Sequence, residues 1–220
     1  GGFREGLEGS QDYDLLLRIL ERVKTNQIHH IPFPLYHWRI SRQSVAEDLN
    51  VKPYAARAGM KAIQEHLNRV SRKADVNISN ELAAYLTNYP LSSPEPSVSI
   101  LINDQFISEE LVNCINGIIK NTDYQNYVIW LCLPESTKQK ENIDRFGWGV
   151  NVRTLYLPDH VSKSYAKTLN QAVSLISEEY VAFIDKTLYK FPENWLSVLI
   201  GHASQSDIGG FAPKLLYRNK

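Results

Sequence analysis

Two carboxylates at the start of the first apolar-periodic segment are the leading candidates for chemistry. Asp12 and Asp14 follow a glycine-rich loop, where free backbone amides and the helix dipole favour a negative charge. The alternative is that they only cap the helix or carry surface charge, although capping alone requires just one of them. A carboxylate held rigidly there can act as a general base towards a hydroxyl group. Because residues two apart on a helix point about 200° apart, only one can face a given pocket, and the spacing leaves open which.

An aromatic segment further along, Leu35–Arg39, carries a second pair of candidates. His37 can ligate a divalent metal, and Arg39 can hold a diphosphate through two parallel hydrogen bonds. Together they could neutralise the leaving group of a nucleotide sugar. The alternative is a half-buried aromatic strand whose polar residues face solvent.

Asp185 is a third candidate because it directly follows an apolar run, and open parallel sheets present ligand groups at the carboxyl ends of their strands. Lys186 comes next. A single carboxylate beside a lysine is a poor site for a divalent cation, which prefers several oxygen ligands and is repelled by the ammonium group. Asn170, on the preceding helix, could orient a ligand or could simply be an exposed helix residue.

Hydrophobic periodicity predicts the elements that position these residues. In the first segment we expect a helix at about 12–24, a short strand at 28–31 and a helix at 53–72. In the second, apolar runs predict strands at 98–102, 127–133, 152–157, 180–184 and 208–216, with helices at 111–119, 165–176 and 193–203. Strands that alternate with helices indicate an α/β fold with a mostly parallel sheet. Residues 77–96 contain three prolines, and we expect an interdomain linker there that includes a short strand near 82–86.

Composition limits the possible functions. The 24 basic and 24 acidic residues give no net charge, so we expect no nucleic-acid partner. The two cysteines form neither a disulfide framework nor a zinc site, which favours a reducing compartment such as the cytoplasm. No stretch has the roughly 20 apolar residues needed to span a bilayer. The basic stretch from Arg69 to Lys73 is nevertheless compatible with peripheral contact with an anionic membrane.

The first segment also contains a set of residues in a recognisable order. They are Gly1–Phe3, Gly9–Leu15, Arg18, Ile31–Pro32, Leu35–Arg39, Ser44, Lys52–Ala55, Ala58–Gly59 and His66–Leu67. This pattern resembles the closing part of a family-2 glycosyltransferase catalytic domain.

The resemblance implies roles for individual residues. Asp12 would be the catalytic base, His37 a contact to metal or diphosphate, and Arg39 a phosphate partner. The family often has a glutamate just before the base, where this chain has Gln11, a candidate for substrate binding. That departure keeps Asp14 in consideration as the base.

The second segment resembles the beginning of another domain of the same family, as in two-domain bacterial enzymes that build O-antigen or other surface polysaccharides. The matching residues are Pro96–Ile100, Thr122–Tyr124, Asn126–Tyr127, Asn170, Tyr180, Phe183, Trp195–Leu196, Gly209 and Pro213–Tyr217. Two acidic groups of the family are absent. Leu133–Pro134 replaces an aspartate that reads the base, and Asp185–Leu188 replaces an Asp-x-Asp-like pair that binds metal and diphosphate. Losing both should weaken nucleotide-sugar binding by several kcal/mol.

The resemblance therefore implies a GT-A architecture in two incomplete parts. Residues 1–76 would be the mainly helical acceptor-side end of one domain, 77–96 a linker, and 97–220 the nucleotide-side half of a second, degenerate domain. The implied reaction is inverting transfer of a sugar from a UDP- or dTDP-sugar to a glycan or lipid-linked glycan, assisted by Mn²⁺ or Mg²⁺, and these 220 residues alone would be inactive. The alternative is a non-catalytic scaffold or interaction module.

Overall fold

The computed structural model describes residues 2–37, 53–79, 84–139 and 143–215. The chain divides into two compact units, Gly1–Pro90 and Leu91–Lys220, called unit 1 and unit 2 below. In the described ranges, no helix has the length and apolar content needed to cross a membrane.

Unit 1 is built from two helices and a β-hairpin. Helix α1 spans Gln11–Leu20 and is followed by a short 3₁₀ turn at Thr25–Gln27. Helix α2 spans Pro53–Arg69, with proline in the first turn, where its missing amide hydrogen costs nothing. Strands β1 (Asp75–Ser79) and β2 (Ala84–Asn88) pair antiparallel.

Small residues on α2 allow the rest of unit 1 to pack closely on it. Leu7, in the loop before α1, is buried against Ala58, Ala62 and Leu17. At Gly9 a Cβ atom would lie only 2.6 Å from the Cβ of Ala55, and its φ of +86° is a left-handed conformation. Glycine is the residue that fits both constraints, so the loop entering α1 is fixed in place.

Unit 2 alternates strands and helices. Its strands are β3 (Val98–Asn103), β4 (Tyr127–Pro134), β5 (Val152–Leu157) and β6 (Tyr180–Phe183). Its helices are α3 (Glu109–Asn121), α4 (Asp159–Ser162), α5 (Tyr165–Leu175) and α6 (Trp195–Ala203). Short 3₁₀ turns lie at Glu135–Thr137 and Ile143–Phe146.

The four strands form one parallel sheet in the order β5-β4-β3-β6. Helices α3 and α6 contribute Ile115 and Leu196 to the core on one face, and Ala172 of α5 packs on the other face. The predicted mixed α/β fold with a parallel sheet is therefore confirmed. Since β4 and β6 lie on opposite sides of β3, the strand order reverses at β3, which is where open sheets bind ligands.

Several sequence-based boundaries were wrong. Helix α1 ends four residues early, at Leu20, and residues 28–31 form no strand among the described residues; Ile28 and Ile31 are both exposed. Residues 208–215 also form no strand, and residue 216 lies outside the described ranges. Within the segment 77–96 that was expected to be a linker, β1 continues to Ser79, and β2 at 84–88 overlaps the short strand expected near 82–86.

Gly117 provides a test of packing in unit 2. A Cβ atom there would lie 2.7 Å from the backbone oxygen of Tyr189, which cannot move aside as a side chain would. In a solvent-exposed helix Gly→Ala stabilises by up to about 1 kcal/mol. We expect Gly117→Ala instead to lower the free energy of unfolding by about 1–3 kcal/mol, because of overpacking.

Urea unfolding followed by tryptophan fluorescence measures the change. Gly210→Ala is the matched control, since an added Cβ there has no neighbour within 4 Å. A stabilised Gly117→Ala variant would contradict the close approach.

Candidate active site

The two carboxylates at the start of α1 lie in opposite environments. Asp12 is exposed, whereas Asp14 is completely buried. The angular separation of residues two apart on a helix produces this difference. Asp14 therefore faces the interior of unit 1, and Asp12 faces outwards.

Two arginines neutralise Asp14. The Nε atoms of Arg4 and Arg18 each donate to Asp14 Oδ2, at 3.0 and 2.9 Å, and a second nitrogen of Arg4 donates to Oδ1. Arg18 also donates to the carbonyl of Gly2. The Arg4 guanidinium, assisted by Arg18, holds the pKa of the Asp14 carboxyl below its usual range even though burial opposes this. Asp14 therefore fixes the N-terminal loop to α1.

The groups around Asp12 shape the outer surface of the helix start. Asp12 Oδ1 accepts a hydrogen bond from the amide of Tyr13 at 2.9 Å. Gln11 Oε1 accepts from the amide of Gly9 at 2.7 Å, and Ser10 Oγ donates to the carbonyl of Ala55 at 2.8 Å. Gln11 thus fixes the loop to the start of α1, and Ser10 connects this start to α2. In the parts of the chain that the structure describes, no cationic side chain pairs with Asp12.

A second ion-pair group ties α2 to the residue after α1. Glu21 accepts from Arg69 Nη2 and from His66 Nδ1, both at 2.8 Å. Arg69 is the larger cause, and His66 the smaller, of a pKa of about 2 for Glu21.

The other two candidates of the first segment are His37 and Arg39. His37 is exposed and lies in an irregular segment, and Arg39 falls outside the described residues. Within the described residues, no hydrogen bond or ion pair joins His37 to Asp12. The convergence of the base and the imidazole on one pocket therefore stays a prediction.

An ion pair that the sequence did not predict lies in unit 2 where the strand order reverses. Asp104, just beyond β3, is 5% exposed, and Lys186, just beyond β6, places its Nζ 2.8 Å from Asp104 Oδ1. Asp104 also accepts from the Gln105 amide at 2.8 Å and from Ser108 Oγ at 2.6 Å. We call Asp104, Asp185 and Lys186 the switch-point cluster. The sequence feature that could have identified Asp104 is an aspartate immediately after a strand, the same feature that identified Asp185 as a candidate.

Asp185 and Asn170 also belong to unit 2. Asp185 is exposed, and its Oδ1 accepts from the amide and the hydroxyl of Thr187, at 2.8 and 2.6 Å. These two hydrogen bonds hold the pKa of the Asp185 carboxyl below its usual value. Asn170 is exposed on α5. The carboxylate of Asp185 is thus turned back onto its own loop.

The described residues do not fit a divalent-metal site. Hard cations are usually held by several oxygen ligands. No group of three or more His, Cys, Asp or Glu side chains among the described residues is placed to hold an ion. Near Asp185 the adjacent basic group, Lys186, already contacts the neighbouring carboxylate of Asp104.

The chain is similar to parts of two longer proteins. No family model matches the sequence. Over 220 residues, 99% of the chain, it is 33% identical to the uncharacterized protein y4gI of Sinorhizobium fredii, of which it spans 24%. Over 217 residues it is 30% identical to the O-antigen biosynthesis protein RfbC of Myxococcus xanthus, of which it spans 17%. The chain thus corresponds to a quarter or less of the length of these relatives.

Similarity to solved structures is more distant. One solved structure is a mannosyltransferase of Pyrobaculum calidifontis, PcManGT, in complex with GDP-Man and Mn²⁺. The match covers 70% of this chain and 43% of the PcManGT chain, with a TM-score of 0.45 and 15% identity. The match to S. aureus TarS 1–349 covers 49% of this chain and 32% of the TarS chain, with a TM-score of 0.40 and 16% identity. Both scores are too low to define fold or activity.

The Glu21 group predicts how the stability of unit 1 depends on pH. Since its pKa is lowered from 4.5 to about 2, folding is stabilised above pH 4.5, and this stabilisation is lost as the pH falls towards 2. At pH 7 we expect Glu21→Gln to lower the free energy of unfolding by about 1 kcal/mol, which is in the upper part of the range for an ion pair near the surface. The difference from wild type should disappear near pH 2.

Hydrogen exchange of the α2 amides reports this local stability. Glu5→Gln is the matched control because Glu5 is exposed. A Glu21→Gln effect of equal size at pH 7 and near pH 2 would contradict the assignment.

Proposed function

We propose that the chain contributes to a glycosyltransferase that transfers a sugar from a nucleoside diphosphate sugar to a growing surface glycan, with Asp12 as the catalytic base. The resemblance of residues 1–76 to family-2 glycosyltransferases supports this function. Support also comes from the 30% identical relative, whose name is O-antigen biosynthesis protein.

One structural observation carries the assignment of the base. Asp14 is completely buried and bound by Arg4 and Arg18, so its oxygens are not free to accept a proton from a substrate. Asp12 is exposed at the N-terminus of a helix that the loop and α2 hold in place. A general base must reach the proton that it removes, and Asp12 satisfies that requirement.

In the proposed reaction the Asp12 carboxylate takes the proton of an acceptor hydroxyl group. The acceptor oxygen then forms a bond to the anomeric carbon of the sugar. The bond from that carbon to the diphosphate breaks, and its electron pair leaves with the nucleoside diphosphate. Attack from the face opposite the leaving group inverts the anomeric configuration.

The resemblance suggests the partners in this reaction. The donor would be a UDP- or dTDP-sugar, the acceptor a glycan or lipid-linked glycan, and Mn²⁺ or Mg²⁺ would steady the diphosphate near His37 and Arg39. The described residues do not form that metal site, and no step above passes through it. The two cysteines, Cys114 and Cys132, are unpaired and buried, which suits a cytoplasmic enzyme.

For unit 2 a specific observation favours the second candidate, a non-catalytic module. Open α/β sheets bind ligands at the reversal of strand order. In unit 2 the basic side chain of Lys186 pairs there with the buried carboxylate of Asp104. We propose that unit 2 keeps the sheet and positions a partner domain or the acceptor, while unit 1 contributes the base.

Replacement of Asp12 tests the catalytic proposal. In the full gene product we expect Asp12→Asn to reduce sugar transfer about 10²–10⁴-fold, because the amide cannot accept the hydroxyl proton. Its melting temperature should stay unchanged. Asp14→Asn should lower the melting temperature instead, because Arg4 and Arg18 lose a charged partner.

The assay measures transfer from a panel of radiolabelled nucleotide sugars to an isolated acceptor lipid or glycan fraction. Asp75→Asn is the matched control, since Asp75 is also an exposed aspartate of unit 1. Full activity in a folded Asp12→Asn variant would show that the base is elsewhere.

A further inference from the structure

The switch-point cluster contains a buried negative charge that must be balanced. The Asp104 side chain is 4% exposed, and a carboxylate this deeply buried is stable only when it is paired and hydrogen-bonded. Both its oxygens are occupied: Oδ2 accepts from Ser108, and Oδ1 accepts from the Gln105 amide and Lys186. The one full positive charge among these partners is the Lys186 ammonium.

The ammonium group of Lys186 is held by two contacts. Its side chain is 31% exposed and extends from the end of β6 across to Asp104, beyond the neighbouring strand β3. Its Nζ also lies 5.8 Å from the centre of the Phe106 ring, within the range of a cation–π interaction. Two favourable contacts thus hold the ammonium at the point where the strand order reverses.

A divalent ion could bind Asp104 only by displacing this ammonium. The remaining carboxylate of the cluster, Asp185, is turned away by its two hydrogen bonds to Thr187. Lys186 and a divalent ion would therefore compete for the same carboxylate. Because Lys186 is covalently attached, its contact with Asp104 does not require the loss of translational freedom that an ion binding from solution undergoes.

We propose that Lys186 is the resident cation of unit 2, occupying the position that a divalent ion would need, so that unit 2 folds and keeps its switch-point cluster intact without metal. The inference goes beyond the proposed function, since it does not depend on the role of Asp12. It also makes a specific structural claim: a carboxylate at position 186 would face Asp104 and convert the cluster into a divalent-cation site.

Lys186→Glu tests this claim directly. Glutamate is shorter than lysine, so it leaves space for an ion between its carboxylate and that of Asp104. We expect the variant to melt several degrees below wild type in EDTA, because two carboxylates then face each other. Mn²⁺ at about ten times its dissociation constant should raise its melting temperature by about 3–5 °C. Asp104→Asn in the Lys186→Glu background should abolish this rise, whereas Asp104→Asn in wild type should leave any Mn²⁺ response unchanged.

The measurement is thermal unfolding of the whole chain with MnCl₂ or EDTA, followed by circular dichroism at 222 nm. A wild-type response to Mn²⁺ that Asp104→Asn or Asp185→Asn abolishes would overturn the proposal. A folded Lys186→Glu variant that ignores Mn²⁺ would also overturn it. A wild-type response to Mn²⁺ that persists in both aspartate variants would place the ion outside the switch-point cluster. The proposed function expects such a site near His37, and this outcome supports the inference for unit 2.

A second pair of variants covers the case in which Lys186→Glu does not fold. Lys186→Gln removes the ammonium without adding a carboxylate, and Lys190→Gln makes the same change at an exposed lysine of the same loop. We expect Lys186→Gln alone to lower the melting temperature, by about 4 °C or more, and Mn²⁺ not to restore it. Equal melting temperatures for these two variants would overturn the role of Lys186.

Discussion

Buried carboxylates and the cations that neutralise them are the constraint on which both units depend. In unit 1, Asp14 is inaccessible to water and is balanced by Arg4 and Arg18. In unit 2, Asp104 is balanced by Lys186. A buried charge without a partner costs several kcal/mol, so each acid fixes the position of the segment that carries its base. The N-terminal loop of unit 1 and the end of β6 are positioned in this way.

The same constraint separates the structural carboxylates from the one available for chemistry. Asp14 organises the helix start, and its hydrogen bonds to two arginines make it a poor proton acceptor. Asp12 lies at the same helix start, where the dipole favours a negative charge, but it remains open to solvent. The division of roles follows from the 3.6-residue period of the helix together with a loop that reaches back to Asp14. Stability and reactivity are thus carried by different side chains of one turn.

Local patterns in the sequence were enough for most of the elements of unit 2 but not for the ion pairs. Apolar runs predicted β3, β4, β5 and β6 within two residues, because the strands of a parallel sheet are mostly continuous apolar sequence, as in β3, which is almost entirely buried. The short strand expected near 82–86 overlaps β2, but β1 was missed, since Asp75–Ser79 mixes polar and apolar residues. The partners Arg4 and Lys186 could not be predicted from spacing, because tertiary packing brings Lys186 to an acid 82 residues away.

The parallel pairing of β3 with β6 has a consequence for how unit 2 forms. Strands β3 and β4 are joined by a single helix, whereas β6 reaches β3 only after β4, β5 and their helices have been made. Closing so long a loop carries a larger entropic cost than closing a short one, and such contacts form slowly. On a ribosome, the β5-β4-β3 ladder can therefore assemble while β6 is still unmade. The edge of β3 that later receives β6 then stays open, and a chaperone or a neighbouring nascent chain could pair with it during that interval.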